Sequence, residues 1–544
     1  MKSIPLPVLF LFNALALAQH NTEFTNFRIF PSAVTQTEPV VAVDQVNPLI
    51  MFASAVTINT NNAFKSEGVY VSTDGGLNWS GSDTCRGELL QNHGGDPGVA
   101  IFPDGTFILN HIGSSYPGVY SHYSTDRGAT WSSAFTISSE IPDEKGTTTI
   151  DNAPSSRFYG RVYSAWTDAI SPFPLLFSYS SDRGHSWKAS NAVYTPSVSP
   201  GSGGCVRTAR DGNVYVSWAV LTNTFPYIED SVGFAISTDG GASWPAPRIV
   251  YDVNGIGLTL PSKNNIRVNG LPQLDVDRSD GPRSGWIYIV TTEKDLSPAG
   301  SDPDIILHRS TDGGQSWSGG IRVNQDSLNN GKIQYFPAIN VDSSGGINII
   351  YYDDRNTSSD SAEIMLARST DGGITWMERV ASDHRFQPKP ILGGNSTYQG
   401  DFISLTSTGK KLYAYWMDDF SGLYQIWSAI IDLDAMGVEN IPDRIPERFE
   451  LYQNYPNPFN PTTTVSFVIG HSSFVKLTVY DVLGREVATL VDEMEDGGWK
   501  SVVWDASSAK GGTPSGIYLY ELKAVSTESP ATTFTQVRKM VLVK

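Results

Sequence analysis

The sequence predicts an all-β chain built mainly from one repeated sheet, and three observations carry that prediction. An octapeptide recurs six times at near-constant spacing. Short alternating strands rich in Tyr, Trp, Val and Ile fill the intervals. Gly and Pro, at 50 and 32 residues, supply the turns that so many short strands need. Together these predict a seven-bladed β-propeller, with six or eight blades as alternatives, followed by a small C-terminal Ig-like β-sandwich.

The octapeptide reads STDGGLNW from Ser72, STDRGATW from Ser124, SSDRGHSW from Ser180, STDGGASW from Ser237, STDGGQSW from Ser310 and STDGGITW from Ser369. The start-to-start steps are 52, 56, 57, 73 and 59 residues. Its chemistry is structural. The Ser hydroxyl and the carboxylates of Asp74, Asp126, Asp182, Asp239, Asp312 and Asp371 suit acceptance of backbone N–H groups in a tight turn. The Gly permits positive φ. Trp79, Trp131, Trp187, Trp244, Trp317 and Trp376 each offer an apolar plate that pins the turn to the sheet. Nothing in the octapeptide is a nucleophile.

Around each copy the same strand order is expected. An inner strand comes first (Pro39–Asp44, Pro97–Pro103, Pro337–Asp342), then an aromatic one (Val162–Thr167, Val214–Ala219, Leu412–Met417). A third runs into the octapeptide and a fourth follows its Trp, as at Arg248–Tyr251. A seventh unit, beginning at Asp401, lacks the octapeptide and has three strands. Phe27–Pro31 near the mature N-terminus is expected to supply its fourth, which would hide both open edges.

The octapeptide resembles the Asp-box, or BNR repeat, of sialidase-like propellers, over roughly residues 27–432. The resemblance implies the fold and leaves the activity open, since such repeats also occur in receptors and in glycan-cleaving enzymes.

The chain ends read as an export system. Lys2, an apolar run from Val8 to Leu17 and a small-x-small site at Ala16–Ala18 predict a signal peptide over 1–18 and a secreted, extracellular or outer-membrane-surface protein. The propeller is assigned to 19–433, a Pro-containing linker to 434–448 and a β-sandwich to 449–544. That last segment is similar to the type A sorting domain of the type IX secretion system, through NYPNPFNP from Asn454, YDVLGREV from Tyr480, PSGIYLYEL from Pro514 and KMVLVK from Lys539. The resemblance implies a bacterial protein whose partner is that secretion machinery.

A net charge of −18 would repel nucleic acid, so no such partner is expected, and no later apolar run is long enough for a membrane helix in the mature chain. The two cysteines, Cys85 and Cys205, fall three blades apart in this register and are expected as free thiols.

In propellers the starts of inner strands and the ends of second strands share a face that usually carries the ligand site. Glu38, Asp96, Asp151 and Asp401 are assigned to inner-strand starts, with His93 just before one. Asp168, Asp353, Asp354, Asp418 and Asp419 are assigned to second-strand ends. Three readings compete for these acids. They bind Ca²⁺, with Asp96, Asp151 and Asp401 as ligands; they work as acid and base on a glycoside; or they hold backbone N–H groups where blades meet. Resemblance to active sialidases implies three Arg gripping a sugar carboxylate, a Tyr nucleophile with a Glu partner, and an Asp acid/base. Phe27-Arg28-Ile29 is similar to that family's Phe-Arg-Ile-Pro motif, but Phe30 stands in place of its Pro. Arg207, Arg355, Tyr398 and Asp96 are the catalytic candidates. Asp275–Pro282 has a Ca²⁺-loop flavour, but Trp286 replaces the expected Glu, so it reads as an acidic turn. The long 73-residue step puts extra chain at Tyr251–Gly270, which would wall the ligand face.

The functional expectation is an exported surface propeller that recognises glycans or other polymers. An exo-sialidase-type glycosidase and a purely structural surface protein are the alternatives.

Overall fold

The computed structural model describes residues 24–543 apart from 60–63, 86–92, 115–116, 140–142, 246, 258, 392–396, 437–448, 455–456, 470–472, 496–497, 508–512 and 527–532. The signal-peptide assignment and most of the linker lie outside the described residues. The chain divides into two compact units, Met1–Ala435 and Met436–Lys544. Among the described residues the only helix is one 3₁₀ turn, Pro261–Lys263.

In the first unit the repeat becomes seven four-stranded antiparallel sheets. Their inner strands are Thr35–Val43, His93–Ile101, Asp143–Ile150, Gly201–Thr208, Gln273–Val276, Gln334–Val341 and Ser404–Thr408. Each inner strand packs against the next around a ring, and the last packs against the first. All seven line one axial cavity of about 220 Å³. The seventh sheet closes as expected: Asn26–Arg28 pairs antiparallel with Gln425–Asp432, with Asn26 opposite Ala429 and Arg28 opposite Trp427. Arg28 thus lies on an outermost strand, its guanidinium over the Trp427 ring.

The octapeptide does more than turn the chain. In the first copy the Ser72 hydroxyl donates to Asp74 Oδ1 (2.9 Å), Gly76 N–H donates to Ser72 Oγ (2.9 Å), and Asn78 N–H donates to Asp74 Oδ1 (2.9 Å). The same three bonds recur in the fourth copy through Ser237, Asp239, Gly241 and Ser243. The glycine at the fifth position always has a left-handed φ, from 81° at Gly184 to 90° at Gly373. It also abuts the preceding sheet. A Cβ on Gly241 would stand 2.3 Å from Phe177, and one on Gly314 2.3 Å from Phe234. The Trp follows it across: Trp131 packs on Phe52, Trp244 on Phe177 and Trp317 on Phe234, each from the sheet before. The motif therefore clasps neighbouring sheets as well as its own, which explains why it recurs once per interval.

These clasps have a pH signature. Burial works against ionisation of Asp239, but hydrogen bonds from Ser243 and Ser237 outweigh it and hold the carboxyl at about 2. Asn78 holds Asp74 down and Thr130 holds Asp126 down in the same way. Elsewhere burial raises Asp353 to about 6 and Glu67 to about 7. A depressed carboxyl stabilises above its unfolded value and loses that contribution as pH falls through its folded one; a raised carboxyl gains stability as pH falls toward its unfolded value. The melting temperature is therefore expected to rise from pH 7 to a maximum near about pH 5, then fall steeply between about pH 4 and pH 2, by calorimetry across that range.

Cys85 and Cys205 are both buried free thiols, Cys85 just beyond the last strand of the first sheet and Cys205 on the inner strand of the fourth. Asp275–Pro282 is a strand end and turn, with Ser279 N–H donating to Asp277 Oδ1 (2.9 Å).

The second unit contains a three-stranded sheet (Glu450–Leu451, Thr462–Ile469, Gly498–Asp505) and a four-stranded one (Glu486–Glu495, Ser473–Asp481, Gly516–Ser526, Thr533–Leu542). Leu451, Phe467, Trp504, Leu477, Tyr520 and Met540 from both sheets share one core. The segment beginning at Asn454 is tied to the final strand: Val541 N–H donates to the Asn457 side chain (2.8 Å), and Gln453 donates to Lys539 O (2.8 Å). Asn454 N–H donates to Tyr520 Oη (2.8 Å).

Candidate functional site

The site is prepared by a backbone irregularity. Pairing of the first inner strand slips between Thr37 and Val40, and that of the second between Gly95 and Gly98. Glu38 and Asp96 occupy these bulges with φ of 55° and 53°. The fourth inner strand has the same slip between Ser202 and Cys205, filled by Gly203 at φ 69°. Left-handed backbone costs a side-chain-bearing residue of order 1–2 kcal/mol, and bulges re-aim side chains beside functional sites. Two acids held this way at one end of adjacent inner strands are aimed at the mouth of the ring.

Tyr398 and Asp401, on the chain entering the seventh inner strand, meet them there. Tyr398 Oη donates to Glu38 Oε1 (2.9 Å). Burial raises the Glu38 carboxyl well above its ordinary value, and Asp96 and Asp401 push it further. Burial, then Glu38, Asp401 and Asp96, likewise raise the Tyr398 phenol. These four groups form one electrostatic unit.

The insertion completes it. Residues 251–270 carry the Thr259–Leu260 and Ile266–Arg267 hairpin, and Arg267 N–H donates to Thr397 O (2.6 Å). The Arg267 guanidinium forks onto Asp401, with Nε at 3.1 Å from Oδ1 and a second bond from Nη2 to Oδ2, and lies over the Tyr398 ring. Asn269 Nδ2 donates to Asp401 O (3.0 Å). Lys263, fully buried, anchors the insertion by donating to Asp354 Oδ2 (2.5 Å). The insertion packs against the Tyr398–Asp401 segment, and Arg267 is a member of this cluster that the candidate set lacked. Its one sequence signal was membership of the long step.

The remaining candidates are placed apart from this unit. Asp151 follows the third inner strand instead of starting it, and so lies at the opposite end of the ring from Asp96. There it accepts from Ala153 N–H (3.2 Å) and the Ser156 hydroxyl (2.5 Å). The correction has a simple cause: Asp143–Ile150 is a polar, Thr-rich strand without an apolar alternation to announce it. The Ca²⁺ set Asp96, Asp151 and Asp401 is therefore not assembled, and Asp401 already faces Arg267. Arg207 lines the axial cavity beside Asp275 (3.9 Å). Arg355 is turned outward along the sixth sheet, donating to both oxygens of Glu378 (2.6 and 2.8 Å) and to Asp353 (2.8 Å). Neither reaches Tyr398 among the described residues, so no cluster of three Arg forms there.

The second-strand acids have partners of their own, within their loops and on neighbouring segments. Asp168 accepts from Ile170 N–H (2.8 Å) and Asp354 from Ile333 N–H (2.7 Å). Asp418 accepts from Trp416 Nε1 (2.7 Å) and Phe420 N–H (2.9 Å) and contacts His384 Nε2 (3.0 Å), while Asp419 pairs with Lys389. The loop after Val214–Leu221, on the same face, exposes Phe225 and Tyr227.

A BNR repeat-like domain matches residues 31–269. No curated protein matches the sequence. Among solved structures, an ulvan lyase of polysaccharide lyase family 25 is 12% identical over 75% of this chain and 96% of its own, with a TM-score of 0.47. An α-L-arabinanase of Penicillium chrysogenum, complexed with arabinobiose, is 14% identical over 75% and 98%, with a TM-score of 0.40. A Hadza microbial sialidase is 14% identical over 71% and 74%, with a TM-score of 0.39.

Proposed function

We propose that the chain is an exported, seven-bladed propeller that cleaves a glycosidic bond at the mouth built by Tyr398, Glu38 and Asp96. The observation that carries this reading is the Tyr398–Glu38 hydrogen bond, set among acids that raise the basicity of Glu38. A phenol is a poor nucleophile until its proton leaves, and a carboxylate of raised pKa is the better base for it. In the proposed step Tyr398 Oη attacks the anomeric carbon while its proton passes to Glu38. Asp96 protonates the departing glycosidic oxygen and then, as the carboxylate, activates the water that releases the sugar. Arg267 and Asp401 neutralise each other and fix the Tyr398 ring. Because Arg207 and Arg355 are engaged elsewhere, the site suits a glycan that is not gripped by three guanidinium groups. Phe225 and Tyr227 offer exposed rings for sugar stacking.

The test is turnover of a panel of aryl glycosides and plant or algal polysaccharides, with a fluorogenic sialoside included. Release of product by the purified chain supports the reading. Specific glycan binding with no product from any substrate would favour the alternative of recognition alone, which the locally satisfied second-strand acids also suit.

We further propose that 449–544 is a type IX sorting domain, on the motifs named above and on the clamp that the Asn454 segment makes with the final strand. Deleting 449–544 is expected to leave the propeller folded but inside the producing cell, by fractionation; undiminished export would remove this assignment.

A further inference from the structure

Three histidines of the second sheet converge beneath the mouth. His93 begins the inner strand, His111 lies on Phe107–Gly113, and His122 on Val119–Ser124. All three are buried, and one ring nitrogen from each lies within 4.8 Å of the others. Each ring has its other nitrogen occupied. His111 Nδ1 is 2.8 Å from Ile112 O and His122 Nδ1 is 3.0 Å from Ser132 O. A carbonyl only accepts, so both rings carry their proton at Nδ1 and present a lone pair at Nε2. These two Nε2 atoms face each other at 3.1 Å. Two lone pairs at that distance repel unless a positive species lies between them. His93 Nδ1 is bonded to the Glu67 carboxylate, which arrives from the third strand of the first sheet.

This is the outer-sphere pattern of metal-binding histidines, in which the non-ligating N–H is held by a backbone carbonyl or a carboxylate. In a tetrahedral site with bonds of about 2.0–2.1 Å, ligand nitrogens stand roughly 3.3 Å apart, close to the spacing of His111 and His122. An all-imidazole donor set suits zinc-like first-row ions over Ca²⁺ or Mg²⁺.

We propose that His93, His111 and His122 bind one divalent transition-metal ion of the zinc class, which braces the bulge carrying Asp96. His111 and His122 are preset ligands. The His93 ring lies flat on His111, with centroids 3.9 Å apart, and offers the third nitrogen of the set. Glu67 is a positioning residue that fixes the His93 tautomer. The alternative occupant of the His111–His122 gap is a proton, and the experiment separates the two.

The full chain, stripped with chelator and shown by circular dichroism to remain folded, is titrated with Zn²⁺ and separately with Co²⁺. The expected result is one tightly bound equivalent, a higher melting temperature, and the intense visible bands of four-coordinate cobalt. Glu67→Gln, which keeps all three ligands, is expected to weaken binding by about 10–100-fold. A His111→Asn/His122→Asn variant is expected to abolish it. Absence of uptake by the folded wild-type chain, or equal uptake by the double variant, overturns the proposal. If the double variant fails to fold, the Glu67→Gln affinity and the cobalt spectrum decide.

Discussion

Replacing Tyr398 with Phe is expected to lower kcat by about 10³-fold or more on any glycoside that the wild-type chain cleaves, while leaving the melting temperature and glycan binding nearly unchanged. The substitution removes one oxygen from a half-buried ring that remains stacked under Arg267. Glu38→Gln is expected to produce a comparable loss, since an amide cannot take the phenolic proton across the 2.9 Å hydrogen bond. The pH profile gives an independent check. The acid limb of kcat/KM should lie above the ordinary carboxylate range because burial, Asp96 and Asp401 all raise Glu38. In Asp401→Asn a negative neighbour is lost and the Arg267 charge is released, and both changes lower the Glu38 pKa. That limb should therefore move to lower pH. An unmoved limb would dissociate Glu38 from the proton transfer, and a fully active Tyr398→Phe would end the catalytic reading.

Removing the residues up to Phe30 is expected to be the most damaging change to stability. The truncation deletes the strand that covers Gln425–Asp432. It removes the bonds of Asn26 to Ala381 O (2.9 Å) and to the Asp383 carboxylate (3.0 Å), and the donation of Ile29 N–H to Ile426 O (3.1 Å). With several backbone bonds lost at about 1 kcal/mol each, the cost is of order 5 kcal/mol. The uncovered edge should also make the chain associate in a concentration-dependent way. Denaturant unfolding and light scattering of the truncated chain against the full one measure both effects. Equal midpoints and a monomeric truncated chain would show that the ring does not depend on this closure.

What could be read from the sequence was local in the chain. Each octapeptide carries its own hydrogen bonds within eight residues, so its role was visible without a fold. Its clasp on the preceding sheet was not, because Phe177 and Trp244 are partners only once the ring exists. Closure by Phe27–Pro31 could be inferred because a three-stranded last unit needs a partner. The Asp151 assignment failed where a Thr-rich inner strand lacked the alternation that marked the others. The Tyr398–Glu38 pair spans 360 residues, and no spacing rule reaches that far. The histidine triad left a faint trace, one His on each of three consecutive strands, that gains meaning only from ring orientations. Arg207 and Arg355 fit a carboxylate-gripping role by residue type, and type alone does not reveal that Asp275 and Glu378 already hold them.

The same seam that joins Asn26–Arg28 to Gln425–Asp432 sets an order of events during biogenesis. Asn26–Arg28 have no place to dock until some four hundred later residues have been made, and contacts of such long sequence separation form slowly. Six sheets can assemble as they emerge, the second to the sixth each clasping its predecessor, while the first octapeptide waits for the seventh sheet. The chain thus carries a fastening that engages last, so the ring is sealed only once the seventh sheet is complete.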